Sequence, residues 1–367
     1  MSPLARDLVT DILLRLPVSS LLRFRCVSRS LCTEIDSENF VKNHLNRSIQ
    51  TKTRQKLVIY DDLVFNDRKD FYFADFDDDL VDAFPPNKPL ISRHHASSVY
   101  GSCNGLILLG VDFAIWNPFT RRYKTLPLCP VQTLPGYRGF LGSGLGYDSA
   151  QDDYKIVMLS EVEDSNRVCF QVWIFGLKSD IWKRSRDLED GVIKRVGCFA
   201  SDALYWVCEN KGVGFDLARE VFFDIPLPSE ISPASIFWDS FVVFGGNLYC
   251  PTLHNGTVEY YLLVSEDEGG DVVGVRWQKE FTLESVEHYL DDVIPPWPLA
   301  YSKDRNSILL GEEWGVFWHN LENRTKQRVN ITRLSEVPRY RYNVCWETLV
   351  SVGEDSAFDG AADGVII

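Results

Sequence analysis

The chain has 367 residues, which at ordinary domain sizes allows one small and one large domain. Lys and Arg number 38 against 52 Asp and Glu, a net charge of −14. That balance argues against a nucleic-acid surface, which needs cations to displace phosphate counterions. The hydrophobic fraction of 45% is that of a chain with a real core, and 10 Trp, 15 Tyr and 22 Phe against 2 Met suit half-buried pleated surfaces.

At the N-terminus Arg6, Asp7 and Asp11 interrupt any apolar signal-peptide core, and no run of 18 apolar residues follows. Nine scattered cysteines without a CxxC pair predict free thiols rather than zinc, and a reducing compartment, cytoplasm or nucleus. No membrane contact is predicted.

The first fifty residues differ from the rest. They hold seven Lys/Arg and five Asp/Glu, about +2, whereas the remainder carries 31 basic and 47 acidic groups, or −16. Leu4, Leu8 and Ile12 recur at helical spacing, joined by Leu13 and Leu16. Pro17 stops that helix, and Ser19 and Ser20 are candidate caps for a second one carrying Leu21, Leu22 and Phe24. Val27, Leu31 and Ile35, then Phe40, Val41 and Leu45, predict further short helices. Fifty residues bury little surface alone. The segment is therefore either a helical cap on the larger domain or a module whose apolar face a partner completes.

The run Ile12-Leu-Leu-Arg-Leu-Pro17-Val-Ser-Ser-Leu-Leu-Arg-Phe-Arg-Cys-Val-Ser-Arg-Ser30 resembles the F-box, the resemblance extending from residue 4 to about 45. Ala5 stands where the family has Pro, and Leu31 where it has Trp. The resemblance implies docking on a Skp-type adaptor through Leu4, Leu8, Ile12, Leu13, Leu16, Pro17, Leu21 and Phe24, some of which must instead hold the bundle together.

Beyond residue 55 short apolar runs alternate with Gly, Asp, Asn and Pro clusters. A unit of strand, polar turn and returning strand recurs, as in Ala114-Ile-Trp-Asn-Pro-Phe-Thr-Arg-Arg-Tyr-Lys-Thr-Leu-Pro127 and Val213-Gly-Phe-Asp-Leu-Ala-Arg-Glu-Val-Phe-Phe-Asp-Ile-Pro226. Its turns fall near 77, 119, 179, 218, 269 and 323, about 40 to 60 residues apart. Antiparallel units of that period predict an all-β propeller of about six blades, with a β-sandwich as the alternative. Leu57–Tyr60 and Thr348–Val352 are the candidates for closing the ring. The predicted domains are 1–50 helical, 51–352 propeller and 353–367 an acidic disordered tail.

Tyr100-Gly-Ser-Cys-Asn-Gly-Leu106, Trp116-Asn-Pro-Phe-Thr-Arg121, Gly144-Leu-Gly-Tyr-Asp-Ser-Ala-Gln-Asp-Asp-Tyr-Lys-Ile-Val157, Ser179-Asp-Ile-Trp-Lys183 and Trp346-Glu-Thr-Leu-Val-Ser351 resemble, in order, the F-box-associated domain of plant F-box proteins, a kelch-like propeller. S-locus F-box proteins and F-box regulators of immune receptors share this layout. The resemblance implies a non-catalytic substrate receptor of a Skp–cullin–F-box ubiquitin ligase, with cullin and RING subunits reached through the adaptor and a target protein held on the propeller. An F-box decoy or assembly factor without a degraded client is the alternative, and a propeller enzyme such as a glycosidase a more distant one.

Catalytic motifs are absent: no P-loop, GxGxxG, HExxH or GxSxG occurs. His94-His95 is the one histidine pair, and adjacent side chains on a strand point apart, so no metal site is predicted. Asp77-Asp78-Asp79 and Asp291-Asp292 read as solvated turns rather than paired carboxylates. No cofactor is predicted. Candidate client loops are 61–70, 128–142, 160–168, 229–240, 264–272 and 285–298; the acidity of three (61–70, 264–272 and 285–298) leans towards a basic client.

Overall fold

A computed structural model describes residues 3–61, 71–75, 81–82, 99–110, 113–165, 167–188, 196–208, 211–228, 241–254, 257–268, 271–284, 296–302, 304–312, 315–329, 331–332 and 340–353. Four helices come first: α1 (Pro3–Leu14), α2 (Val18–Phe24), α3 (Arg29–Ile35) and α4 (Glu38–Thr51). Serines start the last two. Ser28 Oγ accepts from the Leu31 amide at 3.2 Å and Ser37 Oγ from the Phe40 amide at 3.3 Å, each satisfying an orphan donor of a first turn. Leu13, Leu21, Ile35 and Phe40 form the core of the bundle, with Val9, Leu14, Leu16 and Leu31 against it.

The cap of α2 differs from the prediction. Ser19 and Ser20 lie inside the helix, and Pro17, which has no side-chain oxygen, is the N-cap. The missing acceptor comes from Glu347, 329 residues along the chain, whose Oε2 accepts from the Val18 amide at 3.1 Å.

The strands follow. β1 (Gln55–Asp61), β2 (Phe71–Asp75) and β3 (Val81–Asp82) belong to the blade that closes the ring. Four complete antiparallel blades come next in chain order and a fifth after them. They are β4 (Val99–Cys103), β5 (Leu106–Leu109), β6 (Ala114–Asn117) and β7 (Arg122–Thr125); β8 (Tyr137–Asp148), β9 (Asp153–Asp164), β10 (Arg167–Gly176) and β11 (Ile181–Arg184); β12 (Cys198–Ala200), β13 (Ala203–Cys208), β14 (Lys211–Asp216) and β15 (Val221–Ile225); β16 (Val242–Phe244), β17 (Asn247–His254), β18 (Thr257–Glu268) and β19 (Asp271–Glu284); and β20 (Trp297–Tyr301), β21 (Ser307–Glu312), β22 (Gly315–Asn320) and β23 (Lys326–Val329). β24 (Ile331–Thr332) runs parallel to β3, and β25 (Tyr340–Trp346) pairs antiparallel with β1. The result is a six-bladed propeller behind four helices.

Each described turn of the recurring sequence unit joins the third and fourth strands of a blade: β6 to β7, β10 to β11, β14 to β15 and β22 to β23. The turn near 269 falls between β18 and β19, and that near 77 lies outside the described residues. The closing pair corrects one expectation. Leu57–Tyr60 does close the ring, but its partner is Tyr340–Trp346, in the register Leu57 to Val344 and Ile59 to Tyr342. Thr348–Val352 instead crosses the neighbouring blade, where Val352 is fully buried against residues including Leu106 and Ile115. Both segments are apolar and β-prone, so composition alone does not separate them.

Candidate functional site

The strand order gives the propeller two unlike ends. α4 leads into the start of β1, and Glu347 follows the end of β25, so the helical bundle sits at the end carrying the turns between first and second and between third and fourth strands. At that near end Lys42 of α4 reaches Asp152, in the β8–β9 turn, at 2.5 Å, and Lys178 of the β10–β11 turn meets the same carboxylate at 2.8 Å. The far end carries the second-to-third turns and the crossovers between blades.

The bundle is fixed to the propeller by a buried polar junction. Glu347, 8% exposed, holds the Val18 amide with one oxygen and Lys56 with the other at 3.2 Å. Its own amide donates to the Arg54 carbonyl at 3.0 Å. Arg54 Nη2 donates to the Leu14 carbonyl at 3.1 Å, and Nη1 to Ser48 Oγ at 2.8 Å. Burial opposes the charge on Lys56, yet its bonds to Asp75 and Glu347 prevail and raise its pKa. Leu349 adds an apolar contact to the bundle core.

The structure divides the eight residues expected to dock an adaptor. Leu8 and Ile12 are 60% and 58% exposed and Phe24 41%, and Pro17 is exposed too. Leu13 and Leu21 are 3% and 0% exposed and fill the core, so both are removed from the docking set. Leu16 is partly buried against that core. The Leu4 side chain lies outside the described residues. Helix α1 thus has two apolar faces, and the spacing Leu8–Ile12 marks the outward one. Val27, 68% exposed just after α2, was missed. The sequence spacing groups it with Leu31 and Ile35 as a helical stripe, which places it among core candidates rather than on the surface.

Within the propeller the phrases resembling the family serve the architecture. Asn104 and Gly105 both have positive φ, 50° and 88°, as a tight two-residue hairpin requires. A Cβ on Gly105 would lie 2.2 Å from the Trp346 carbonyl oxygen. Asn117 Nδ2 donates to the carbonyls of Thr348 at 3.1 Å and Val350 at 2.8 Å, while its Oδ1 accepts from Phe119 and Thr120 amides. These contacts clasp the chain beyond the last strand onto the β6–β7 turn. Lys155, 4% exposed, joins two blades: its Nζ meets Asp148 at 2.8 Å, the Leu217 carbonyl at 2.8 Å and Glu220 at 3.2 Å.

The inner strands β4, β8, β12, β16, β20 and β25 border a channel of about 1350 Å³. At the far end it is rimmed by half-buried Tyr60, Tyr100, Phe140, Trp297 and Tyr340. The candidate client loops do not share one end. Those at 128–142 and 160–168 are far-end connections, whereas 264–272 belongs to the β18–β19 hairpin at the near end. Residues 229–240, 62–70 and 285–295 lie outside the described residues, as do His94-His95, Asp77-Asp78-Asp79, Asp291-Asp292 and residues 354–367 of the predicted tail. Among the described residues no three His, Cys, Asp or Glu side chains converge as a metal set, and no helix is long and apolar enough to cross a membrane. The nine cysteines are free; burial pushes the Cys198, Cys250 and Cys345 thiols up to about 12.

A helical module with apolar side chains left in solvent, joined through a buried polar junction to a six-bladed propeller, defines a two-part architecture. Residues 1–43 match the family described as F-box domain and residues 80–346 that described as F-box associated beta propeller domain. The chain belongs to the plant F-box proteins that carry an F-box-associated β-propeller. It is 28% identical to the F-box protein CPR1 of Arabidopsis thaliana, over 92% of this chain and 86% of that one. It is 27% identical to the F-box protein At4g22390 of the same plant, over 87% and 84%. Its likeness to solved structures such as TolB from Acinetobacter baumannii is slight, with a TM-score of 0.40 at 11% identity over 83% of this chain and 73% of that one.

Proposed function

We propose that this protein is the substrate-receptor subunit of a Skp–cullin–F-box ubiquitin ligase, non-catalytic itself, whose F-box docks a Skp-type adaptor through Leu8, Ile12, Pro17, Phe24 and Val27. The observation that carries this reading is the surplus of apolar side chains on a bundle whose core is already filled by Leu13, Leu21, Ile35 and Phe40. Burying one such side chain contributes roughly 1.5–3 kcal/mol, so a few of them suffice to anchor a partner. Through the adaptor the chain meets cullin and RING subunits, and the propeller holds a target protein. Ubiquitin transfer is then accelerated by proximity alone. Free thiols suit the cytoplasm or nucleus, where such a complex works.

The test is co-purification of a Skp-type adaptor with the full chain and with Leu8→Glu combined with Ile12→Glu. Loss of the adaptor from a variant whose unfolding temperature is unchanged is the expected outcome; undiminished binding would sink the assignment. A decoy role differs in having no degraded client. Proteins that accumulate on loss of this chain support the receptor reading over the decoy.

A further inference from the structure

The charge of the channel is opposite to that of the molecule around it. Among the described residues that border it, the charged ones are Lys52, Arg305, Arg341 and Glu312, three cations to one anion in a chain of net −14. Glu312 pairs with Lys326 at 2.6 Å, and Arg341 too is engaged. Lys52, at the left-handed C-cap of α4, and Arg305, in the β20–β21 turn, lie at the near end. The far end is the aromatic rim. A channel walled by low-dielectric protein and carrying one sign of charge focuses its field on a ligand of the other sign.

The size points to a chain segment rather than a small molecule. Small-ligand pockets run to about 300–1,000 Å³, and this channel holds about 1350 Å³. β25 lines its length with seven residues, so an extended segment of about the same number spans it at roughly 3.3 Å per residue.

We propose that the channel receives an extended acidic segment of the target protein, entering past the aromatic rim and carrying its carboxylates towards Lys52 and Arg305. This rests on the receptor reading and names the chemistry of its client. The acidic loops lean towards a basic client; the channel, with Lys52 and Arg305 exposed at its near end, selects the other sign. Aromatic side chains of the rim pack on apolar residues of the segment, and the cations supply direction and preference.

The test uses the full chain co-purified with its adaptor and fluorescein-labelled eight-residue peptides of Glu, Tyr and Leu, with a counterpart in which Lys replaces every Glu. Fluorescence anisotropy is expected to show the acidic peptide binding about tenfold or more tightly than the basic one, and weakening as salt is raised. Arg305→Glu alone, and with Lys52→Glu, is expected to remove most of that preference. Equal binding of the two peptides, or a preference untouched by both variants, would overturn the proposal. A preference reversed towards the basic peptide in the unaltered protein would overturn it in favour of the loop-based expectation. Adaptor retention, read on the same samples, tests the receptor reading separately.

Discussion

The Glu347 carboxylate, just beyond the last strand of the propeller, accepts a hydrogen bond from the Val18 amide that opens the second helix of the F-box. One buried side chain therefore caps a helix in one domain and pairs with Lys56 in the other. Glu347→Ala leaves the Val18 amide and Lys56 without this partner. An unsatisfied buried donor costs about 1–3 kcal/mol. The expected result is a matching loss in denaturant unfolding, with faster amide exchange in α2. Glu347→Gln, which keeps an oxygen but no charge, should fall between.

Leu8 and Leu13 lie five residues apart on α1 with opposite fates. Leu13→Ala is expected to cost about 2–5 kcal/mol of stability, as buried leucine truncations do. Leu8→Ala should leave unfolding within about 0.5 kcal/mol of the parent while weakening adaptor binding. Calorimetry and a pull-down on the same two proteins check both halves.

Lys155 is buried among Asp148, Glu220 and the Leu217 carbonyl. Lys155→Met strands the Asp148 carboxylate, and breaking a buried pair from one side costs about 3–5 kcal/mol. The expected signature is a drop in melting temperature without loss of adaptor binding, because the junction lies between blades rather than at the F-box.

Acid should act on the F-box first. Burial lowers the His44 pKa below its usual 6.5, and its Nε2–H donates to the Leu16 carbonyl at 2.9 Å, leaving Nδ1 enclosed without a partner. Above pH 6.5 the folded and unfolded chains both carry a neutral imidazole, and full stability is present. Below it the unfolded chain takes up a proton that the folded one resists, so stability falls. Burial opposes ionisation of Glu220, but its bonds to Lys183 and Lys155 prevail and lower its pKa from 4.5. That contribution is present above 4.5 and is lost only as pH falls through the lowered value. Melting followed between about pH 7.5 and 5.5 is expected to show the helical signal weakening first. His44→Gln should flatten that slope.

Gly105→Ala is expected to be among the more damaging single-methyl additions. Its φ of 88° disfavours any other residue, and the added carbon would meet the Trp346 carbonyl oxygen and the Thr348 side chain. Lower soluble yield and a depressed melting temperature would register it; unchanged stability would contradict the close approach.

Much of this architecture was legible in the residues. The F-box run is local, so Pro17, the serine caps of α3 and α4 and the apolar spacing all speak within a few positions of one another. The third-to-fourth-strand turns were visible for the same reason, since Asn117, Asp216 and Asn320 each cap the turn that follows them. What escaped was non-local. Nothing near Glu347 says that it caps a helix 329 residues away, nothing near Asn117 says that it holds Thr348 and Val350, and Leu8 and Leu13 look alike in sequence. The sign of the channel was hidden too, because Lys52 and Arg305 are brought to it from distant turns of an acidic chain.

Closure by β1 and β25 has a consequence for synthesis. The F-box leaves the ribosome ahead of the propeller, with β1 directly behind it, yet the strand that completes the ring and the carboxylate that caps α2 emerge some 280 positions after β1. Until then the nascent chain carries an open sheet edge on β1 and a helix start with no acceptor. A polypeptide ended before residue 340 would contain every F-box residue and still lack both. Such a fragment should unfold more readily than the full chain and attract chaperones or proteases, because completing the propeller also completes the helical domain.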